Sequence, residues 1–523
     1  IRAAYGGDEL HAAAVSRTIV QKIDPGSTTV TLTPATTTIA TDGSVTFTAT
    51  VAPVAPSTAS PNGGVVYFIS GSRYLAVSLV SNGTASATVS GFPVGVTRVT
   101  AVFNATTDLA TSTSNAAAVT VDARSGSQFR ANTRTSGSQQ LPAVATLTGG
   151  GFVVVWASKD QDGSSWGIYG QRYSTAGAKA GAEFRVNSTT SNAQSYPVIA
   201  ATSDGGFVTA WLGSDATAKS TGIRAQRWSA AGVRAGTEFR VDTTVGTNQS
   251  APAIAASPAG GFLVTWVSNA GTGTTFDVRG RLYAATGKAV GGEVKVNATT
   301  LPSLTSPATV TALDNGTWAV AWTRAAKAGA KPIVVAQRLS AKGVRSGAEI
   351  AVTSATFAQS DPVIARLSGE GFVVAWVSQG QDRSGKGLYA QSYTPAGAKN
   401  GVAFPINQTV AGDQSEPALA TRSGGGFYAT WTSMKQDGSG KGIYGRAYTT
   451  DGWATTVEFR LNTTTKSDQS QPAVAGLSYS DFVAVWTSAG TDGGLEGVYG
   501  QRFHLPTSAD RMVRAAGSAR PRS

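Results

Sequence analysis

The chain has no cysteine, two histidines and two methionines, and only 14% of its 523 residues are charged. Without cysteine there can be no disulfide, thiolate metal site or cysteine nucleophile, so its domains must hold by packing alone; an oxidising exterior is allowed but not required. His11 and His504 stand at opposite ends of the text, too few and too far apart for a His-based triad or a multi-histidine metal site. No run approaches the roughly 18 apolar residues of a helical membrane span. The opening Ile1-Arg2-Ala3-Ala4-Tyr5 lacks the basic head and apolar run of a signal peptide, so any secretion signal is expected upstream. The 42 basic residues exceed the 30 acidic ones by 12 but form no basic run, which reads as generic solubility ahead of attraction to a polyanion. Residues 504–523, with Arg511, Arg514, Arg520 and Arg522, read as a flexible basic tail.

What the chain does have is glycine, 62 residues of it, within a text crowded by Thr, Ser, Ala and Val, a composition for strands and tight turns. Trp156, Trp211, Trp266, Trp322, Trp376, Trp431 and Trp486 fall 55, 55, 56, 54, 55 and 55 residues apart. Each closes an apolar run such as Gly150-Gly151-Phe152-Val153-Val154-Val155-Trp156. A side chain that recurs in most copies serves the repeat and is not a unique catalytic group.

Four phrases cycle between residues 127 and 503. The first is Phe129-Arg130-Ala131-Asn132, returning as Phe184-Arg185-Val186-Asn187 and Phe459-Arg460-Leu461-Asn462. The others are the Pro-led strand Pro142-Ala143-Val144-Ala145, the glycine-to-tryptophan run, and Gly167-Ile168-Tyr169-Gly170-Gln171-Arg172-Tyr173. The third phrase is apolar on both faces, as a strand sandwiched between neighbouring sheets requires. Four-stranded units that stack on one another around an axis are propeller blades, with an open β-solenoid as the competing architecture. Phase favours a ring: the region starts on the first phrase and ends on Gly500-Gln501-Arg502-Phe503, so the last blade lacks a strand that the leftover phrase would supply.

Between residues 25 and 122, short alternating segments are separated by turn residues: Val45, Phe47, Ala49 and Val51 share one face, and Thr46, Thr48 and Thr50 the other. About seven strands are expected there, in a two-sheet sandwich. The stretch Thr84–Val89, followed by Gly95–Phe103, resembles the bacterial Ig-like domains (group 3 type) found in tandem on large surface proteins. Residues 1–24 parallel the segment from Val99 through Leu109 to Val121 and read as the last strands of a preceding Ig-like domain, in a chain expected to be part of a longer polypeptide.

The 127–503 repeat resembles a family of about 55-residue propeller repeats in very large secreted bacterial proteins, which often carry Ig-like modules and calcium-binding repeats. That resemblance implies an exported, structural or adhesive setting and implies no catalysis. The expected fold is therefore all-β, an Ig-like β-sandwich followed by a seven-bladed β-propeller of four-stranded antiparallel blades.

No catalytic or metal residue is assigned. Glu183, Glu238, Glu293, Glu349 and Glu458 share one repeat position and read as turn-supporting carboxylates, although a carboxylate pair is what a glycosidase needs. Gln139, Gln194, Gln249, Gln359, Gln414 and Gln469 each precede the strand-opening proline by three residues, with Leu304 in the remaining copy. At one end of the innermost strands they are candidates to ring a channel mouth and offer amides to a sugar or a peptide backbone, against the alternative that each bonds a neighbouring loop. The same two readings apply to Gln171, Gln226, Gln337, Gln391 and Gln501 with Arg172, Arg227, Arg338 and Arg502. Asp160-Gln161-Asp162-Gly163-Ser164, Gln381-Asp382, Gln436-Asp437 and Thr491-Asp492 keep too few carboxylates for calcium, and an Asx-type turn accounts for them better; no cofactor is expected. Trp166, Trp228 and Trp453 break the repeat; Trp166, on the 162–167 loop, is the candidate for stacking on a sugar.

The sequence thus reads as a non-enzymatic, secreted or cell-surface structural or adhesive protein with protein or glycan partners and possible self-assembly through Ig-like domains. A lectin-like propeller and a virion or extracellular filament component are the alternatives. Neither specific nucleic-acid binding nor a membrane span is expected.

Overall fold

The computed structural model describes residues 2–215, 220–269, 275–302, 306–327, 329–369, 371–491 and 495–505. Leu304, Asp492 and the tail beyond Leu505 lie outside them. All regular structure in the described residues is β, and the chain divides near Asp122 into two compact units.

The first unit is the expected sandwich. One sheet orders Thr28–Pro34, Ser44–Pro53 and Thr84–Ser90; the other orders Thr38–Ala40, Ala117–Asp122, Gly95–Phe103, Val65–Ser70 and Arg73–Leu79, with Ser112–Thr113 added to Gly95–Phe103. Nine strands replace the expected seven because two short pieces, Thr38–Ala40 and Ser112–Thr113, pair along larger strands. Val45, Phe47, Ala49 and Val51 are buried as their alternation requires, and the Phe47 ring meets Phe68 of the opposite sheet at 6.2 Å. At the start of the chain, Ala4–Tyr5 and Ala14–Val15 form a small hairpin. Tyr5 faces Ala14 across eight residues, the same number that separates Phe103 from Ser112.

The second unit holds seven four-stranded antiparallel sheets. Blade 1 runs outward from Gln139–Thr146 through Phe152–Lys159 and Trp166–Tyr173 to Phe184–Arg185, and the next five repeat that order. The innermost strands of successive blades neighbour one another, and those of blades 7 and 1, Gln469–Gly476 and Gln139–Thr146, do so as well, so the blades close a ring.

The seventh blade is composite. Its inner three strands, Gln469–Gly476, Asp481–Ala489 and Glu496–His504, come from the end of the repeat region, and its outer strand is Arg124–Arg130 from the beginning. That strand starts at Arg124, three residues before the repeat region read from the sequence. Phe129 lies opposite Gly500, where a Cβ would come within 2.6 Å of the ring; blade 1 repeats this with Gly170 under Phe184 at 2.8 Å. A small residue is thus required wherever the outer phenylalanine lies over the third strand.

The hydrophobic cores lie between blades. The Phe152, Val154 and Trp156 face of blade 1 packs with Val483, Val485 and Val498 of blade 7, while Val153, Val155 and Ala157 pack with Phe207 and Trp211 of blade 2. This is why the glycine-to-tryptophan strand is apolar on both faces. Trp228 is buried and stacks on Phe207 at 5.7 Å, the part Tyr173 plays against Phe152 at 4.6 Å. It therefore occupies a regular repeat position and, contrary to what its identity suggested, does not break the repeat.

Candidate functional site

The recurring polar residues are latches between blades. In every blade the residue three after the outer aromatic or its substitute accepts a bond from a third-strand amide, as Asn187 Oδ1 does from Ile168 N at 2.7 Å and Asn132 Oδ1 from Val498 N at 2.8 Å. Thr353 Oγ1 does the same for Val334. The asparagine's Nδ2 then reaches the next blade's glutamine: Asn132 to Gln139 at 3.1 Å, Asn187 to Gln194 at 3.2 Å, Asn407 to Gln414 at 3.0 Å and Asn462 to Gln469 at 2.9 Å. Blade 2 has Asp242 in place of asparagine and no such donor, and there Gln249 Oε1 accepts from the Trp266 indole at 3.1 Å.

Each of these glutamines also donates to nearby backbone: Gln139 to Ser136 O, Gln194 to Ser191 O, and Gln359 to Phe357 O. Gln139, Gln194, Gln249, Gln359, Gln414 and Gln469 are all buried. The structure places them inside the ring wall and not at a channel mouth, and the Nε2 group of each is used internally. The second glutamine series is buried too, Gln171 donating to Arg172 O and Gly181 O, both at 3.0 Å. Arg227, Arg338 and Arg502 reach carbonyls in the next blade's outer turn at 2.6–2.8 Å.

The glutamates are inter-blade clamps. Glu238 Oε2 accepts from Ser188 N at 2.7 Å and Thr189 N at 3.2 Å across the blade 1–2 junction; Glu183, Glu293, Glu349 and Glu458 repeat this at other junctions, and Gln128 does so for Thr463 where the ring closes. Burial pushes the Glu238 carboxyl up, but the amide and hydroxyl donors of Ser188 and Thr189 outweigh it, and the net shift is downward. A folded value below the unfolded one means this stabilisation is complete above the ordinary carboxylate range, about pH 4.3, and is lost as pH falls through the folded value. Glu238→Ala leaves two amides without their acceptor and is expected to cost about 1–3 kcal/mol in denaturant unfolding at neutral pH. The gap between variant and parent should narrow toward pH 3, whereas a gap independent of pH would assign the loss to packing.

The aspartate loops are Asx turns: Asp162 Oδ1 accepts from Ser164 N at 3.2 Å, Asp382 from Ser384 N at 3.0 Å and Asp437 from Ser439 N at 3.1 Å. Among the described residues, no three His, Cys, Asp or Glu side chains gather as a metal site would require. Trp166 is the first residue of a strand, paired with Lys159, and is half-buried against the core between blades 1 and 2. Trp453 is half-buried in an outer turn.

A different ring of residues, missed in the sequence, faces the axis. Just before the strand-opening proline the inner strand bulges in six blades, as between Gln140 and Ala143. Leu141, Tyr196, Ala251, Asp361, Glu416 and Gln471 there have positive φ, between 48° and 56°. This left-handed conformation costs an L-residue about 1–2 kcal/mol and favours glycine. The chain nevertheless keeps side chains at all six. Two of these, and Ser306 before the proline of blade 4, cap the next blade's bulge: Ser306 Oγ accepts from Asp361 N at 2.8 Å, Glu416 Oε2 from Gln471 N at 2.8 Å, and Gln471 Oε1 from Leu141 N at 3.1 Å. Leu141 and Ala251 have no acceptor to offer.

The mouth is consequently two-sided. Leu141, Tyr196, Ala251 and the prolines beside them line a largely apolar pocket of about 450 Å³, with Tyr196 53% exposed, whereas blades 5 and 6 contribute Asp361 and Glu416. The signal in the sequence was a variable residue wedged between a constant glutamine and a constant proline.

Residues 32–122 match the family described as Bacterial Ig-like domain (group 3). No curated protein matches the chain. Among solved structures, the chain is similar to a protein of unknown function from Dyadobacter fermentans DSM 18053, with 10% identity over 73% of this chain and 99% of that one and a TM-score of 0.47. It is also similar to the β-propeller domain of the Trilobed protease from Pyrococcus furiosus, with 9% identity over 74% and 99% and a TM-score of 0.42. The third is Penicillium chrysogenum α-L-arabinanase complexed with arabinobiose, with 13% identity over 73% and 99% and a TM-score of 0.40.

Proposed function

We propose that this chain is a non-catalytic binding protein of a secreted or cell-surface setting, in which an Ig-like domain carries a propeller that recognises a partner. The observation that carries the reading is the division of labour in the repeat. The recurring carboxylates and amides that a hydrolase would need are bonded between blades, while the axial bulge positions vary and keep their side chains despite an unfavourable backbone. The bacterial Ig-like match at residues 32–122 agrees with an exported setting.

A lectin-like use is the second reading, supported by an exposed tyrosine at a mouth that also holds two carboxylates, since aromatic faces and carboxylates are common sugar partners. Self-assembly draws instead on Arg73–Leu79, the last strand of its Ig-like sheet, where Tyr74, Val77 and Leu79 are exposed. The test is to incubate the full chain with a panel of polysaccharides and with cell-envelope protein, measuring retention and released reducing ends together. Saturable retention without product release is expected, and sugar release that co-purifies with the chain would overturn the non-catalytic reading.

A further inference from the structure

We infer that the axial mouth at the bulge end of the inner strands binds an extended peptide segment carrying a large apolar residue close to a lysine or arginine. The inference rests on the binding-protein reading and locates its site.

Three observations converge on this occupant. The pocket of about 450 Å³ lies within the range of about 300–1,000 Å³ typical of ligand sites. Its walls are Leu141, Tyr196, Ala251, Val198, Leu212 and the ring prolines, which suit an aliphatic or aromatic side chain and give few partners to the many hydroxyls of a sugar. The only carboxylates among the bulge residues, Asp361 and Glu416, are half-exposed on the remaining arc, in a chain that is net basic by 12 charges. A ligand complementary to both arcs is therefore apolar at one point and cationic at another, as an extended peptide with two such side chains is.

The experiment screens the full chain against a bead library of blocked random hexapeptides and, separately, against a glycan array. The expected result is enrichment of peptides pairing Phe, Tyr or Leu with Lys or Arg, and no glycan retention at the mouth. Tyr196→Ser should abolish retention of the selected peptides. The double variant Asp361→Asn, Glu416→Gln keeps side-chain acceptors for the neighbouring donors, so the fold is retained. It should weaken lysine-bearing peptides about three- to tenfold at low salt, as expected for two exposed ion pairs, and leave their uncharged analogues unchanged. Selected peptides that are acidic, or whose retention ignores all three substitutions, overturn the inference. Glycan retention lost in Tyr196→Ser overturns the peptide class while sparing the binding-protein reading. Retention of neither ligand, with unfolding of every variant like that of the parent, counts against both.

Discussion

Deleting Arg124–Asn132 should destabilise the entire propeller by more than about 4 kcal/mol and convert it from a discrete species into an associating one. The segment supplies the outer strand of blade 7, and its loss leaves Glu496–His504 as an open sheet edge, a template for pairing with another chain. Partly buried Phe129 and fully buried Ala131, which pack on the core between blades 7 and 1, go with it, for about 2–4 kcal/mol together. Asn132 goes too, leaving Val498 N and Gln139 Oε1 without their partner, for about 1–3 kcal/mol more. Folded domains have only about 5–15 kcal/mol in total, so a large part of the margin is involved. Denaturant unfolding and light scattering on the deleted chain measure both effects. An unchanged midpoint and an unchanged mass would mean that the ring does not depend on this strand.

Trp266→Ala should cost about 3–5 kcal/mol, because a fully buried indole is removed from the core between blades 2 and 3 and the surroundings cannot collapse into the space. Trp266 also satisfies Gln249 Oε1, the acceptor that Asp242 cannot serve. Trp266→Phe therefore separates the two losses: most of the packing is kept and about 1–3 kcal/mol is expected from the orphaned amide oxygen. Trp166→Ala, at a half-buried strand end, should cost about 1–2 kcal/mol. Equal costs for Trp266→Ala and Trp166→Ala would mean that the inter-blade layer is not the source of stability.

The architecture was legible because blade stacking leaves a periodic imprint. A strand packed on both faces must be apolar on both, and the tryptophan spacing counted the blades. The leftover Phe129 phrase disclosed closure because a ring cut within one blade returns its missing strand at the other end of the text. The site was less legible. Gln139 and Leu141 are two residues apart, so simple alternation puts them on one face; the bulge between Gln140 and Ala143 breaks that alternation and sends the glutamine into the wall. Whether a glutamine borders a channel or a neighbouring blade depends on that bulge, which no residue count reveals. Trp228 was mistaken for an irregularity because it replaces a tyrosine by identity while doing the same packing. Leu141, Tyr196 and Glu416 went unnoticed for the opposite reason: their position is constant in backbone conformation and variable in chemistry.

Amide hydrogen exchange at the closure tests the central claim, a ring completed by its own first strand, most directly. Ala131 N donates to Val498 O at 2.8 Å and Val498 N to Asn132 Oδ1 at 2.8 Å; in blade 2, Val241 N and Ile223 N make the equivalent bonds within one continuous stretch of chain. Closure predicts that Ala131 and Val498 exchange as slowly as Val241 and Ile223, through global unfolding only. Exchange of Ala131 and Val498 at the rate of an exposed strand, while Val241 and Ile223 remain protected, would show an open ring.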